Sequence, residues 1–299
     1  MPELPEVENL RIGLLKVIQN QKILKVLVHK PKLVSGNGTK RIVSNTKKLE
    51  FIKGLQGERF IDIERRAKNL IFRLTHEKIL LVHLKMSGQF VYKAHTNSKI
   101  VSGGHPIELS EKELPNKHTH VIFELEKGNL YYNDTRMFGY LLYYKNSGSF
   151  QIKNHFGLLG LEPLSPSFTT KYFLEKLKEK KGKIKAVLMD QKIVTGLGNI
   201  YADESLFEAG IRPNRNSDSL QDAEVKKLHK AIIRILKKAV AVGGSSVATY
   251  RLLDNTRGNY AREHKVYGKS GKLCMKCNNL LKTIKIQTRT TVFCENCQK

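Results

Sequence analysis

The 299-residue chain has no tryptophan, only four cysteines and about half as many acids as bases. It also lacks any apolar run approaching the ~18 residues that a membrane-spanning helix needs, which excludes a helical membrane protein. Four cysteines cannot staple a chain of this length, so a disulfide scaffold is excluded. Their clustering at positions 274, 277, 294 and 297 suggests instead a metal site in a reducing compartment. The start, MPELPEVE, is acidic and interrupted by proline, with no basic segment leading into an apolar one. No secretory signal is expected, and a cytoplasmic location is, with nucleoid association if the source is bacterial.

The shortage of acids leaves 53 Lys and Arg against 27 Asp and Glu, a formal charge of +26. That speaks of partners rather than of fold: nucleic acid first, then an anionic membrane surface, then an acidic protein. The plainer alternative is that many of the lysines are solvated surface. A 40% hydrophobic content supplies sizeable cores and excludes wholesale disorder. The length predicts two domains.

Val7, Leu10, Leu14, Leu15 and Ile18 recur at helical spacing, predicting an amphipathic helix within residues 1–20. From Lys22 to Tyr144 the texture is β-rich: KILKVLVH, RFIDIERR, NLIFRL, KILLVHLKM, HVIFELE, NLYYND and YLLYYK, separated by turn residues such as Gly128-Asn129. This reads as a sandwich or barrel behind one leading helix, with 31–48 and 94–117 as surface loops. A Gly-, Ser- and Pro-rich linker lies around 146–168. Beyond it the pattern is helical: Phe173, Leu174, Leu177, Ile184, Val187 and Leu188 within 170–191, a helix from about Asn199 to Ala209, and a stripe of Val225, Leu228, Ile232, Ile235, Leu236 and Ala239 within 221–242. After Gly243-Gly244 a loop runs to about Arg262, followed by a short β-type tail.

Three places carry chemistry. Cys274-x2-Cys277, a spacer of 16 residues and Cys294-x2-Cys297 have the spacing of a four-thiolate zinc site. Four protein ligands leave no open position, so such a metal is structural; reduced, unliganded cysteines are the alternative. From Lys265 to Lys299 there are eight Lys or Arg and one acid, Glu295, which suits a basic hairpin entering a nucleic-acid groove. Next, Ile184–Gln191, KIVTGLG and Asn199–Phe207 read as helix, glycine turn, helix. Free amides and the dipole at such a helix start can hold a phosphate, with Asn199 as an added donor and Lys180, Lys181, Lys183 and Lys185 nearby. A capped helix without ligand is the alternative. Lastly, removal of Met1 would leave Pro2 as a free secondary amine. An α-amino group titrates near pH ~8, so part of it is neutral and nucleophilic at neutrality. It can condense with a sugar carbon to an iminium ion, with Glu3 moving protons and Glu6 orienting the helix start. From the residues alone, Pro and Glu are equally ordinary helix-start residues.

Together these pieces resemble the formamidopyrimidine-DNA glycosylase family of base-excision repair enzymes, relatives of endonuclease VIII. The resemblance spans the chain: MPELPEVE, RRAKNL at 65–70, HLKMSG at 83–88, KHTHV at 117–121, NDTRMFG at 133–139, LGLEPL at 159–164, LMDQ and GLGNIYADESLF within 188–207, VYGKSG at 266–271, and the cysteine tail. It implies an α+β fold of two domains: an N-terminal β-sandwich with flanking helices, and a C-terminal helical helix-two-turn-helix domain with a four-cysteine zinc-finger β-hairpin. The corresponding division is 1–148 catalytic sandwich, 149–168 linker, 169–262 helix-two-turn-helix with a lesion-capping loop, and 263–299 zinc finger. It further implies one structural Zn²⁺, damaged double-stranded DNA as partner, a monomer, and excision of oxidised purines followed by β,δ-elimination. The target base would first be flipped from the duplex, because its sugar carbon is otherwise shielded.

Residue by residue, Pro2 matches the Schiff-base nucleophile, Glu3 the proton donor, Lys68 the lysine assisting β-elimination, and Arg289 the zinc-finger arginine that clamps phosphate and assists δ-elimination. His118, Arg136, Lys180 and Asn199 match DNA contacts. Met86, Arg136 and Phe138 match the side chains that fill the space left by the extruded base; without the resemblance, a core Met, a core Phe and a surface Arg are the plainer readings. Some positions depart from the pattern. Met137 stands where the family usually has Arg or Lys, and Lys85 replaces a usual Gly. The 94–117 loop is long, and the base-capping stretch 245–262 is altered, which bears on lesion preference. Three other readings compete: a relative tuned to oxidised pyrimidines or hydantoins, a non-catalytic DNA binder, and a zinc-ribbon RNA binder.

Overall fold

The computed structural model describes residues 1–38, 40–96, 100–104, 114–148, 150, 156–245 and 259–299, with 100–104 described for backbone alone. The chain divides into two compact units, Met1–Gly157 with Gly243–Gly258, and Leu158–Val242 with Asn259–Lys299. The helix-two-turn-helix segment and the cysteine tail therefore share one unit.

The first unit begins with α1 (Leu4–Ile18), in which Val7, Leu10, Leu14 and Ile18 are buried and Leu15 packs against them in part, as their spacing predicts. Among the described residues nine strands follow: β1 (Ile23–Val28), β2 (Phe60–Arg66), β3 (Asn69–Leu74), β4 (Ile79–His83), β5 (Gly88–Ala94), β6 (Ile100–Gly104), β7 (Thr119–Leu125), β8 (Gly128–Asp134) and β9 (Tyr140–Tyr144). They form a five-stranded sheet in the order β1-β7-β8-β5-β6 and a four-stranded sheet in the order β2-β3-β4-β9, antiparallel throughout. Aromatic rings join the two: Phe60 of β2 lies 6.3 Å from Phe123 of β7, and Phe72 of β3 lies 5.8 Å from Phe90 of β5. Two sheets sharing one apolar core, with α1 packed on β2 and β3, make a sandwich.

Three features differ from the expectation. A second helix, α2 (Asn45–Leu55), starts inside the stretch read as loop 31–48. Its cap is clear, with Ser44 Oγ accepting from Lys47 N at 3.2 Å, but it fully buries only Phe51 and Leu55, too thin a stripe to stand out among lysines. KILLVHLKM does not run on as one element: β4 ends at His83, the chain turns through Leu84–Ser87, and β5 continues in the other sheet. Strand β6 lies within the 94–117 stretch read as loop, where Ser102, Gly103 and Gly104 dilute its pattern. Residues 97–99 and 105–113 of that stretch lie outside the described residues.

The second unit holds α3 (Thr170–Lys178), α4 (Ile184–Met189), α5 (Asn199–Ala209), α6 (Asp222–Ala241) and the hairpin β10 (Lys282–Ile286) and β11 (Arg289–Phe293). The 170–191 stretch is thus two helices, broken at Glu179–Lys183. All six stripe residues predicted for α6 are buried in the core of this unit. Helix α5 spans the predicted bounds and ends at Gly210, whose φ of +74° suits glycine.

Candidate active site and nucleic-acid interface

The amino terminus of α1 is a buried polar knot. Pro2, Glu3 and Glu6 are all buried, with Glu3 only 3% exposed. Glu6 Oε2 accepts from Glu3 N at 2.9 Å, while the Glu3 side chain accepts from the Glu6 backbone, a reciprocal capping box. Glu6 Oε1 accepts from Ser245 N at 2.7 Å. Gly244 has φ +79°, which favours glycine, and a Cβ there would lie 2.8 Å from Glu6 Oε1 and displace it. Glu6 therefore tethers the start of the 245–262 stretch to the amino-terminal cluster, although 246–258 lie outside the described residues.

Lys68 sits in the two-residue turn of the β2–β3 hairpin, which Arg66 and Asn69 close and in which Ala67 has φ +54°. Although in a turn, Lys68 is only 6% exposed. The turn is tied to α1 through Arg65: its Nε meets Glu8 Oε2 at 2.9 Å and its Nη1 donates to Ala67 O at 3.1 Å. Burial pushes the Glu8 carboxyl up, but Arg11 and Arg65 outweigh it and hold it below its ordinary value. Pro2, Glu3, Glu6 and Lys68 thus all belong to the α1–β2–β3 part of the first unit.

Met86, Arg136 and Phe138 lie in two loops of the same unit, 84–87 between β4 and β5 and 135–139 between β8 and β9. Met86 is half-buried, whereas Arg136 and Phe138 are exposed, Phe138 by 44%. The Arg136 guanidinium lies 4.5 Å over the Phe138 ring, a cation–π pair presented to solvent. Half-buried His118 precedes β7, its backbone N–H donating to Asn116 Oδ1 at 2.8 Å. The two departures in these loops have a common geometry. Lys85 has φ +53° and Met137 φ +52°, a region that favours glycine. Lys85 lies 5.7 Å from the Tyr140 ring, and burial, then Arg41, lowers its pKa. Met137 packs in part against the core, so its side chain fills an apolar position.

In the second unit, Gln191 shapes the glycine turn, donating to Met189 O and Leu197 O and accepting from Gly196 N at 2.8 Å. Asn199 is the first residue of α5, with Gly198 as N-cap. Its Nδ2 donates to Thr290 O at 3.2 Å, and its Oδ1 is buried with no hydrogen-bond partner among the described residues. Asn199 is thereby brought beside Arg289, which is exposed at the start of β11. Lys180 lies 3.7 Å from Asp190. The four cysteine Sγ atoms fall within 4.8 Å of one another, a cluster able to hold a metal ion.

Sequence reasoning missed the groups that anchor this hairpin. Lys185, read with Lys180, Lys181 and Lys183 as a cation near a phosphate, is instead fully buried; its Nζ meets Asp203 Oδ1 and Thr291 Oγ1 at 2.7 Å each and Thr290 O at 3.1 Å. Burial, opposed by Lys185, pushes the Asp203 carboxyl up to about 7. Next to it, buried Glu204 accepts from the backbone N–H groups of Lys265, Val266 and Tyr267 at 2.8–3.0 Å. The one available signal was two adjacent acids in a helix otherwise apolar enough to be wholly internal.

Comparison with known proteins adds to this geometry. Residues 1–141 match the formamidopyrimidine-DNA glycosylase N-terminal domain, and residues 159–251 match the formamidopyrimidine-DNA glycosylase H2TH domain. The chain belongs to the formamidopyrimidine-DNA glycosylase family. Curated members of the family include the Desulfitobacterium hafniense protein, 37% identical, and that of Listeria monocytogenes, 39% identical, each match covering 100% of both chains. Among solved structures, a Lactococcus lactis family variant in complex with Fapy-dG-containing DNA aligns with a TM-score of 0.85 and 35% identity over 100% of both chains. The Thermus thermophilus protein aligns with a TM-score of 0.81 and 33% identity, over 99% of this chain and 98% of that one. The two-domain architecture with its C-terminal hairpin is thus the fold of this family. Among the described residues no helix is long and apolar enough to cross a membrane.

Proposed function

We propose that the chain is a bifunctional DNA glycosylase and abasic-site lyase that removes oxidised purines, 8-oxoguanine and formamidopyrimidines, from duplex DNA and then cleaves the strand by β,δ-elimination. The observation that carries this reading is the amino-terminal knot, in which buried Pro2 directly precedes Glu3, and the Glu3 and Glu6 side chains accept from each other's backbone N–H groups. Such a site suits an amine nucleophile served by an acid, and not a phosphate grip, for which carboxylates would be repulsive.

In the proposed reaction Met1 is removed and the Pro2 nitrogen bonds to C1′ of the lesion nucleotide as the glycosidic bond breaks. Glu3 supplies the proton to the opening sugar. The resulting iminium ion acidifies C2′–H; loss of that proton expels the 3′ phosphate, assisted by Lys68, and a second elimination expels the 5′ phosphate, assisted by Arg289. An arginine suits that last role because its fork holds two phosphate oxygens at once. His118, Arg136, Lys180 and Asn199 contact the DNA. Met86, Arg136 and Phe138 fill the space of the extruded base, the apolar pair as wedge and the guanidinium as donor to the widowed partner.

The cysteine cluster takes one structural zinc ion in this reading. Tetrahedral Zn–S bonds of ~2.3 Å place sulfurs about 3.8 Å apart. The Cys274–Cys297 and Cys277–Cys294 separations of 3.9 and 3.5 Å fit that size. The metal would hold the hairpin that carries Arg289 and take no part in the chemistry.

A second reading, a preference for oxidised pyrimidines, has one observation in its favour: the Lactococcus lactis family member has been solved in complex with oxidised-pyrimidine-containing DNA, and that structure is 34% identical with a TM-score of 0.84. Single-turnover excision from duplexes carrying one defined lesion separates the two. Faster release of 8-oxoguanine and formamidopyrimidine, leaving phosphate on both sides of the gap, supports the proposal. Faster release of pyrimidine lesions supports the second reading, and tight binding without release of any base refutes both.

A further inference from the structure

The wedge side chains sit on two separate loops, and a single carboxylate joins those loops. Asp134 is fully buried at the end of β8. Five donors converge on it. Its Oδ1 accepts from Ser87 Oγ, from Arg136 N at 3.2 Å and from Met137 N at 2.9 Å. Its Oδ2 accepts from Gly139 N at 2.7 Å and from Tyr132 OH at 3.3 Å. Ser87 Oγ also accepts from Arg136 N at 3.1 Å, closing a triangle between the loops. The Asp134 backbone extends the reach: its N–H donates to His118 O at 3.0 Å, and its carbonyl lies 2.9 Å from His120 Nε2.

The bonds bracket the functional side chains. Ser87 follows Met86, the amides of Met137 and Gly139 flank Phe138, the amide of Arg136 is itself bound, and His118 is held through its carbonyl. Packing leaves the loops no slack around this group. A Cβ on Gly88 would lie 2.7 Å from the Tyr132 hydroxyl, and a Cβ on Gly139 would overlap that hydroxyl and lie 3.0 Å from Asp134 Oδ2. Both loops also carry a non-glycine residue at positive φ, Lys85 and Met137, a conformation that persists only when its surroundings over-determine it. A carboxylate offers acceptors on both oxygens for this many donors; an amide turns one of them into a donor.

We propose that Asp134 is a positioning residue for base extrusion: it sets the Met86 loop and the Arg136–Phe138 loop in register, so that the wedge enters the duplex as one unit. This rests on the glycosylase reading above and adds to it the group that organises the extrusion step. A wedge whose two halves move independently can still reach a base that is already unstacked, but is slow to displace a paired one, since the cost of flipping falls for unpaired nucleotides.

The test compares Asp134→Asn, Ser87→Ala and the double variant on one lesion, placed either in a paired duplex or in an unpaired bulge. A 2-aminopurine beside the lesion reports unstacking. For Asp134→Asn, excision from the paired duplex should fall about 10- to 100-fold, as for a wedge misplaced by about 1 Å. The loss on the bulge should be clearly smaller, because an unpaired base is cheaper to extrude, and the 2-aminopurine transient should slow in parallel with paired excision. Ser87→Ala should reproduce the pattern more weakly, and the double variant should be no slower than Asp134→Asn alone, because both act on one bond network. Equal losses on paired and bulged lesions, additive losses in the double variant, or no loss would overturn the proposal. If Asp134→Asn does not fold, Ser87→Ala and Tyr132→Phe, which each remove one donor, carry the same comparison. A wild-type chain that releases no base from either substrate refutes the glycosylase reading itself, whereas an active wild type whose paired excision is indifferent to all these variants refutes only the role of Asp134.

Discussion

Two hairpins of this molecule have the same turn and opposite supports. In β2–β3 the turn Ala67-Lys68 is closed by Arg66 and Asn69; in β10–β11 the turn Gln287-Thr288 is closed by Ile286 and Arg289. The first turn residue has positive φ in both, +54° at Ala67 and +52° at Gln287. Each delivers a cation, Lys68 within the turn and Arg289 beside it. The first hairpin belongs to a four-stranded sheet over the main core, and its lysine is buried. The second is a two-stranded ribbon, an arrangement only marginally stable alone, and its arginine is exposed. Its support comes from a small apolar cluster of Phe207, Val266, Leu281 and Val292 and from discrete bonds: the cysteine cluster, the Lys185–Asp203 pair with Thr291, and Glu204 on the amides of 265–267. In the proposed reaction the lysine that assists the first elimination is thus built into a large core, while the arginine that grips phosphate stands on a ribbon held by a small cluster and a few bonds. The second hairpin should therefore be separable from the rest by chemistry that leaves the first untouched.

The largest effect should come from the cysteines. Structural zinc contributes an apparent ~10–16 kcal/mol of binding free energy to small domains that fold around it. Chelation, or Cys294→Ser, should unfold β10–β11 and abolish duplex binding while amide exchange in β2–β3 stays slow. Binding that survives chelation, or equal exchange in both hairpins, would contradict the contrast. Next is the buried ion pair: Lys185→Met leaves Asp203 buried without its cation and should cost about 3–5 kcal/mol in denaturant unfolding of the second unit. A partner change Asp203→Leu should recover much of that loss, and no recovery would mean that the pair does not act as one. Smaller still is a pH effect. His264, buried between Tyr260 and Tyr267, has its pKa lowered to about 4 by burial and then by Lys269. Its neutral ring contributes fully above the ordinary value near 6.5, and that contribution is lost as pH falls from there toward 4, up to about 3 kcal/mol. The second unit should lose stability across that window, and His264→Gln should flatten the profile; an unchanged profile in the variant would assign the acid sensitivity elsewhere.

What could be read from the sequence follows the same division. Elements with a regular apolar period were legible: the α1 and α6 stripes, the bounds of α5, and most strands of the sandwich. Helix α2 was hidden because only Phe51 and Leu55 mark its buried side, and β6 because its glycines carry no pattern. The cysteine spacing showed a metal-sized cluster directly, since its ligands lie in two short local turns. The buried polar groups were not legible. Asp134 meets Ser87 from 47 positions away, and Lys185 meets Thr291 from 106 positions away, so neither leaves a local trace. Lys185 in particular looked like its exposed neighbours Lys181 and Lys183, and only the fold distinguishes it.

The central claim is that the amine of Pro2 attacks the sugar. Borohydride reduction of the chain during turnover on an abasic or 8-oxoguanine duplex, followed by peptide mass spectrometry, tests it most directly. The account predicts a chain lacking Met1, with the reduced sugar attached to the Pro2 nitrogen and trapping strongly reduced by Pro2→Gly. An adduct on a lysine, or full strand cleavage by a chain that still carries Met1, would contradict it.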